Sequence, residues 1–284
     1  MYKLPTLQEL LEAGVHFGHQ VRRNNPRMRP YIYGAKEGVS VIDLTQSEKY
    51  LKETCEFVYD LGKSGKVLLF VGTKKQAKPI VEEMAGELET PFLAERWMGG
   101  FLTNFSEIKK NIKKLKEYLE QKSKGELSKY TKKEQLLLER KMGKLQRVFV
   151  GVMDLAGVPD AIFVIDAVSD NIAVREANRL GIKVVAIADS NCDPTQIDYP
   201  VPGNDDAIKS IRILVAAIAA AYGEGKKEAG KLAEIKVKEG VKEEEKKEVK
   251  EKKGKENSEE KVLKKEAAEA KEKKETKEPE KKAK

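Results

Sequence analysis

Three short apolar blocks constrain the fold of this chain more than any other feature: "KVLLFVG" (66–72), "AIFVID" (161–166) and "KVVAIAD" (183–189). Each is rich in Val, Ile or Phe and none alternates with polar residues, the pattern of parallel strands covered on both faces. Covering both faces requires helices between the strands, and the sequence supplies them. "VSDNIAVREANRLGIK" runs from the cap candidates Ser169 and Asp170 to a stop at Gly181 and feeds the third block. Asn204 is a cap candidate for a helix through Ala221, and Thr45-Gln46-Ser47-Glu48 has capping-box spacing ahead of "KYLKETCEFVYDL". Alternating strand and helix predicts an α/β fold, a doubly wound and mostly parallel sheet of the flavodoxin-like kind. "PYIYGAKEGVSVIDL" ahead of it reads as an extended hairpin.

One segment breaks the alternation. Between 104 and 149 there is no strand candidate, only two charged amphipathic stretches. Ile108, Ile112, Leu115 and Leu119 are spaced four, three, four, and so are Leu138, Met142, Leu145 and Phe149. Asn104-x-x-Glu107 and Thr131-x-x-Glu134 have the spacing to cap the two stretches. Matching seams joined by a Gly-containing turn predict an antiparallel coiled-coil hairpin inserted in the α/β domain. From 224 to 284 the sequence is low-complexity Lys and Glu with no aromatic residue. Such a stretch buries too little apolar surface to fold, so a disordered tail is expected. The predicted organisation is an α/β domain over 1–223, the hairpin at 104–149 within it, and a tail over 224–284.

Charge is unevenly placed. The formal net charge is +8, yet 107–147 holds 14 basic against 6 acidic residues, while 148–223 holds 5 against 10. Focused positive charge points to a polyanionic partner for part of the surface. "HQVRRNNPRMRPYIYGAK" carries Arg22, Arg23, Arg27, Arg29 and Lys36 with no acid before Glu37 and two tyrosines interleaved. Lys74 and Lys75 belong to a second acid-free cluster, and Lys109, Lys110, Lys113, Lys114 and Lys116 line the first hairpin helix. Arginine suits bidentate phosphate contacts and lysine acts as a point charge, so dispersed basic clusters with a projecting arm fit backbone-and-shape recognition of structured RNA. A solvated helix face is the bland alternative for the hairpin lysines.

The rival class is a nucleotide- or sugar-phosphate-binding α/β enzyme. "FVGTKKQAK" sets Gly72, Thr73, Lys74 and Lys75 at a strand-to-helix turn with N–H groups and lysines suited to a phosphate, and Asp166 and Asp189 end two strands. Neither GxGxxG after a strand nor GxxxxGK[ST] occurs, and no nucleophile, base and orienter assemble from these residues, so no enzyme is expected. Cys55 and Cys192 are the only cysteines and suit a reducing cytosol. The sequence start lacks the charged and apolar regions of a signal peptide, and the run "ILVAAIAAAY" is too short to span a bilayer. A cytoplasmic chain without a membrane partner is expected.

Six ordered blocks carry a resemblance: "LLEAGVHFGHQVRRNNPRMRPYIYGAKEGVSVIDL", "FVGTKKQA", "RWMGGFLTNF", "GVPDAIFVID", "EANRLGI" and "VPGNDDAI". In this order they resemble the bacterial small-subunit ribosomal protein S2 family, from about Leu7 to Gly223. The resemblance implies a structural constituent of the small ribosomal subunit, located on the ribosome, that touches ribosomal RNA between head and body and lies near other small-subunit proteins. It also implies docking of the mRNA-recruiting ribosomal protein S1, and no homo-oligomer. The RNA contacts it implies fall on Arg22, Arg23, Lys36, Lys74, Lys75, Arg96 and the hairpin lysines.

His16 and His19 are the only histidines, both within "GVHFGHQ". Two histidines do not complete a zinc site, and Gly18 breaks any helix that would put them on one face. The resemblance leaves a narrower option, zinc shared by His19, Asp189 and Asp205, with His16 as a further candidate; no cofactor is otherwise required. The competing expectation is that the pair packs at a turn beside the Arg-rich segment.

Overall fold

The computed structural model describes residues 2–125 and 131–231. The chain divides into units 1–229 and 230–284, and the first carries the architecture. Helix α1 (Leu7–Glu12) precedes a small sheet of β1 (Phe17–Gln20), β2 (Ile32–Lys36) and β3 (Val39–Ile42). Helix α2 (Leu44–Lys63) leads to β4 (Leu68–Val71), α3 (Lys78–Glu87) and β5 (Phe92–Leu93). Then come α4 (Phe105–Ser123), α5 (Lys132–Phe149), β6 (Ala161–Val164), α6 (Asn171–Leu180), β7 (Lys183–Ala188) and β8 (Tyr199–Pro202). A last helix, α7, opens at residue 208.

The large sheet is parallel throughout, in the order β5-β4-β6-β7-β8. That is the flavodoxin-like order, which reverses direction between β4 and β6. The apolar blocks are its central strands, and every residue of β4 and β6 is buried. Alternate residues serve two separate cores. Leu68, Phe70, Phe163, Val185 and Ile187 pack with α2, α3 and α7. Leu69, Val71, Ile162, Val164, Val184 and Ala186 pack with α6 and the bases of α4 and α5. Phe70 and Phe163 meet edge to face at 5.5 Å, and burying each ring contributes about 1.5–3 kcal/mol.

The extended hairpin forms as β2 and β3, antiparallel with Lys36 opposite Val39. Strand β1 joins it from the segment expected to be a turn. Strands β5 and β8 also lie outside the expected set: β5 has two residues, and β8 carries Pro200 and Pro202 on the sheet edge, where a missing N–H breaks no ladder. Helix α2 is capped by Asp43, whose side chain accepts from Thr45 N at 2.9 Å. The expected box at Thr45 is therefore displaced, because a carboxylate two residues earlier reaches the free N–H first. The box at Thr131 and Glu134 forms as expected, and Gly181 ends α6 at φ 71°, a left-handed conformation that glycine adopts without penalty.

Helices α4 and α5 occupy the span expected to form the arm; 126–130 between them fall outside the described residues. Ile108, Ile112 and Leu115 are buried as the spacing predicts, but Tyr118 is buried where Leu119 was expected, and Leu119 is only half-buried. On α5 only Phe149 is buried, and Met142 and Leu145 are partly covered. The base is anchored by the loop Trp97–Thr103. Trp97 and Phe101 pack at 5.1 Å, and Gly100 turns at φ 87°. One carboxylate, Glu176 of α6, accepts from Trp97 Nε1 (3.3 Å), Gly100 N (2.7 Å), Leu102 N (3.0 Å), Thr103 N (3.2 Å) and Thr103 Oγ1 (3.3 Å).

The packed unit runs beyond the expected boundary at 223. Gly225 of α7 lies so close to α2 that an added Cβ would stand 2.2 Å from the Tyr59 carbonyl. Lys226 Nζ donates to the carbonyls of Leu88 (2.7 Å) and Glu89 (3.2 Å), and Glu228 takes the Tyr59 hydroxyl. Charged composition concealed this docking, because the contacts are glycine-mediated and polar. The remainder of the expected tail, 232–284, lies outside the described residues.

Candidate nucleic-acid interface and strand-end acid cluster

Two sites of opposite sign flank the small sheet. The cationic one follows from the segment 21–36. Short 3-10 turns, Val21–Arg23 and Pro26–Tyr31, carry the chain from β1 to β2. Asn25 caps the second by accepting from Arg27 N at 3.0 Å. Met28 is the one buried side chain of these turns, which directs the arginines outward. Arg22, Arg23, Arg29 and Lys36 are exposed, and among the described residues none has an ion pair; Arg22 Nε donates to Gln20 at 2.8 Å. Arg27 differs, being paired with Asp193 and donating to Thr195 at 3.1 Å. A groove of 430 Å³ opens beside Arg29, lined by Asn24, Asn25 and Ile32, with Tyr33 83% exposed at its edge.

The remaining candidates divide. Lys75, Arg96 and Lys114 are exposed and carry no ion pair among the described residues. On α4, Lys110 pairs with Glu107 (2.6 Å), Lys113 with Glu117 (3.8 Å), and Lys109 donates to the Ala156 carbonyl (3.4 Å). Lys74 points the other way. Its side chain is 17% exposed, and its ammonium lies 2.9 Å from Asp166, 2.7 Å from Asp205 and 2.9 Å from Asp206. It is spent on neighbouring carboxylates, so it stands apart from the cationic strip.

Those carboxylates form the second site, at the carboxyl ends of β4, β6, β7 and β8, the crevice where this fold class binds ligands. Strand β1 reaches it because Gly18 has no side chain: an added Cβ would stand 3.0 Å from Ser190 Oγ and 3.2 Å from the Ser40 carbonyl. His19 N then donates to Ser190 Oγ at 2.9 Å, which places the imidazole in the crevice. Its Nδ1 lies 3.1 Å from Asp189, and its Nε2 lies 3.5 Å from Asp206 and 3.3 Å from the Asn191 amide.

Electrostatics follow from crowding. The hydrogen bond to Asp189 raises the His19 pKa against the opposing effect of burial, with help from Asp205 and Asp206. Burial raises Asp205 to about 7, the charges of Asp166 and Asp189 push the same way, and Lys74 opposes them. Burial works against the Lys74 charge, but the surrounding aspartates raise its pKa well above the ordinary range. Four carboxylates thus face one ammonium and one imidazole, an excess of negative charge that suits a further cation.

His19, Asp205 and Asp206 bring ligand atoms within 4.8 Å of one another. The expected third member, Asp189, instead holds the opposite imidazole nitrogen, the position of an outer carboxylate that orients a metal-binding histidine. Asp206, exposed and next to Asp205 in the loop after β8, is not among the sequence candidates; nothing in its local spacing marks it, and only the fold brings it to His19. His16 packs against Phe17 with ring centroids 4.0 Å apart and planes tilted by 39°, its Nδ1 is buried without a hydrogen-bond partner among the described residues, and it is not among the grouped residues.

Fold and site define a doubly wound α/β protein whose ligand crevice is filled by its own charged side chains and whose exposed strip is cationic. The chain belongs to the ribosomal protein S2 family, whose model matches residues 10–225. The small ribosomal subunit protein uS2 of a Nitratiruptor species is 51% identical over 221 residues, 78% of this chain and 83% of the relative. The uS2 protein of Wolinella succinogenes is 48% identical over 225 residues, 79% of this chain and 83% of that one. The uS2 protein of Geotalea uraniireducens is 49% identical over 220 residues, 78% and 86% respectively. No described helix is long and apolar enough to cross a membrane.

Proposed function

We propose that this chain is a structural constituent of the small ribosomal subunit that binds ribosomal RNA through the segment 21–36. The observation that carries the reading is the group Arg22, Arg23, Arg29 and Lys36, exposed and without an ion pair among the described residues, with an open groove edged by Tyr33 beside Arg29. Arginines without a carboxylate partner meet phosphates without first breaking an ion pair, and an exposed aromatic ring offers a stacking face to an unpaired base. Lys75 and Arg96 extend the set. In this reading the α4 and α5 pair serves as a coiled-coil arm, and the chain docks ribosomal protein S1 and neighbouring small-subunit proteins, for which membership of the S2 family is the support. The test is binding of the full chain to small-subunit ribosomal RNA across a salt series. Arg22→Gln with Arg23→Gln lowers the slope of log affinity against log salt by about 1.4–1.8, at ~0.7–0.9 per phosphate contact. An unaltered slope removes the segment from the interface, and a tagged chain that never sediments with small subunits removes the reading.

The acid cluster supports a second element, a structural zinc ion held by His19 Nε2, Asp205 and Asp206, with Asp189 orienting the imidazole. Mixed nitrogen and oxygen donors and an uncompensated negative charge fit that ion. When bound, it would join β1 to the sheet, while Lys74 balances Asp166. Metal analysis of purified protein reads this directly: about one equivalent in the native chain, lost in His19→Ala and Asp205→Asn. Content far below one equivalent that His19→Ala leaves unchanged refutes the site.

A further inference from the structure

We infer that the outward face of α5 is a contact surface for an RNA phosphate backbone, a role that rests on the RNA-binding reading above and extends it to residues outside the basic strip. Met142, Leu145, Val148 and Phe149 of α5 pack toward the core that α4 also joins, and Leu138 on the same side is partly buried. At 3.6 residues per turn, Lys133, Arg140, Lys144 and Arg147 fall within a sector about 60° wide on the opposite side. The acids of this helix, Glu134 and Glu139, lie on the flanks of that sector, and none lies inside it. All four cations are exposed. Among the described residues none has an ion pair, and Arg147 Nε donates only to the Gly143 carbonyl of its own helix at 3.3 Å. Arg147 is near enough to Glu95 to help Lys78 hold that carboxyl below its ordinary range, without a direct contact.

The contrast with α4 gives the stripe its meaning. Helix α4 has more lysines, but many have acids as partners: Lys110 pairs with Glu107 at 2.6 Å, Lys116 with Asp154 at 2.9 Å and Lys122 with Glu139 at 3.1 Å. Locally neutralised lysines are what a solvated helix face requires. The acid-free row on the other helix lacks that compensation, since among the described residues none of its cations has an ion pair. Its cations succeed one another along the axis by about 10, 6 and 4.5 Å, at ~1.5 Å per residue. A nucleic-acid strand carries a charge about every 3.4 Å, so the row meets one phosphate in every one to three. Two of the four are arginines, suited to bidentate phosphate contact. Leu137, 56% exposed beside the row, gives an apolar surface for a sugar between the phosphates.

The experiment uses the full chain and a transcript of small-subunit ribosomal RNA, with affinity measured from low to moderate salt and helix content checked by circular dichroism. Lys133→Gln, Arg140→Gln and Lys144→Gln together lower the salt slope by about 2–2.7, at ~0.7–0.9 per contact, and weaken binding at least tenfold. The same removal of three charges from α4, at Lys109, Lys110 and Lys113, costs less than a third of that factor. A larger loss from the α4 variant overturns the assignment. So does native-like binding by the α5 variant while Arg22→Gln/Arg23→Gln loses affinity, an outcome that leaves the RNA-binding reading intact. Native-like RNA binding by the α5 variant with failure to enter subunits overturns it too, and assigns the stripe to an acidic protein instead. No specific binding by the unaltered chain overturns both readings.

Discussion

Replacing Glu176 with Gln isolates what one charge contributes to the loop Trp97–Thr103 that leads into α4. The carboxylate receives five hydrogen bonds from Trp97, Gly100, Leu102 and Thr103. Gln keeps the size and one acceptor oxygen, but its amide nitrogen must then face N–H donors. Gly100 and Thr103 are accessible enough to find water, whereas Trp97 and Leu102 are buried. Turning the amide either way leaves one buried donor facing another, and every surviving bond loses its charge assistance. Unmet buried donors cost about 1–3 kcal/mol each, so Glu176→Gln destabilises by roughly 2–4 kcal/mol. Of a net stability of about 5–15 kcal/mol, that leaves a folded protein. The assay is urea denaturation followed by fluorescence of Trp97, the only tryptophan, whose own N–H belongs to the clamp. Burial opposes the charge of Glu176, but the N–H groups of Gly100, Leu102 and Thr103 hold its pKa below the ordinary value of 4.5. The folded state therefore binds fewer protons, so this stabilisation is complete above 4.5 and is lost as pH falls through the folded pKa. The gap between native chain and variant narrows in that acid range. A variant within about 0.5 kcal/mol of the native chain, with unchanged tryptophan emission, would refute the reasoning.

Asp170→Asn tests the opposite sign: burial raises Asp170 to about 6 from an ordinary 3.8, so the native chain loses stability as pH rises through that window. The variant keeps an acceptor for Thr73 Oγ1 and lacks that loss, so relative to the native chain it gains about 1–3 kcal/mol between about pH 4 and pH 7; parallel urea midpoints at the two pH values exclude it. Gly225→Ala drives a methyl group against the Tyr59 carbonyl and costs about 1–3 kcal/mol, read as a lower melting temperature; an unchanged one means that α7 does not approach α2 this closely. Arg27→Gln breaks a pair with Asp193 whose arginine is largely open to solvent, so stability changes by less than about 1 kcal/mol in urea denaturation; a larger change makes Arg27 a structural residue rather than a surface one.

The parallel sheet was legible because a strand buried on both faces leaves an unbroken apolar run, as β4, β6 and β7 do. Edge strands leave no such signature. Strand β5 needs only two residues, β8 is punctuated by prolines, and β1 is held by contacts with Ser190 and Val41 that lie far away in sequence. The same locality governs the sites. That Arg22, Arg23 and Arg29 stand without an ion pair among the described residues was readable, because an acid-free run stays unpaired unless the fold brings acids to it. Arg27 shows the fold doing so, with Asp193 arriving from the loop after β7. The direction of Lys74 depends on four strand ends converging, and no spacing within "FVGTKKQAK" encodes that.

That convergence also explains why a fold class that so often binds nucleotides offers them little here. A phosphate at the β4–α3 turn needs free backbone N–H groups, cationic side chains and room. Gly72 gives none of that room: an added Cβ would lie 2.8 Å from Val81 and 3.0 Å from Ile165, so the glycine serves helix–sheet packing. Thr73 N and Oγ1 point at Asp170. Lys74 is held by three aspartates that would repel a phosphate. The crevice that would receive a ligand is closed by β1, which carries His19 into the acids and continues directly into Arg22 and Arg23. One short segment thus performs two tasks of opposite sign. Its inward half attaches to the negative end of the sheet, and that attachment fixes the origin from which its outward half projects arginines. Loosening the attachment, as a bulkier residue at Gly18 would, therefore costs order in the basic strip while leaving every arginine in place.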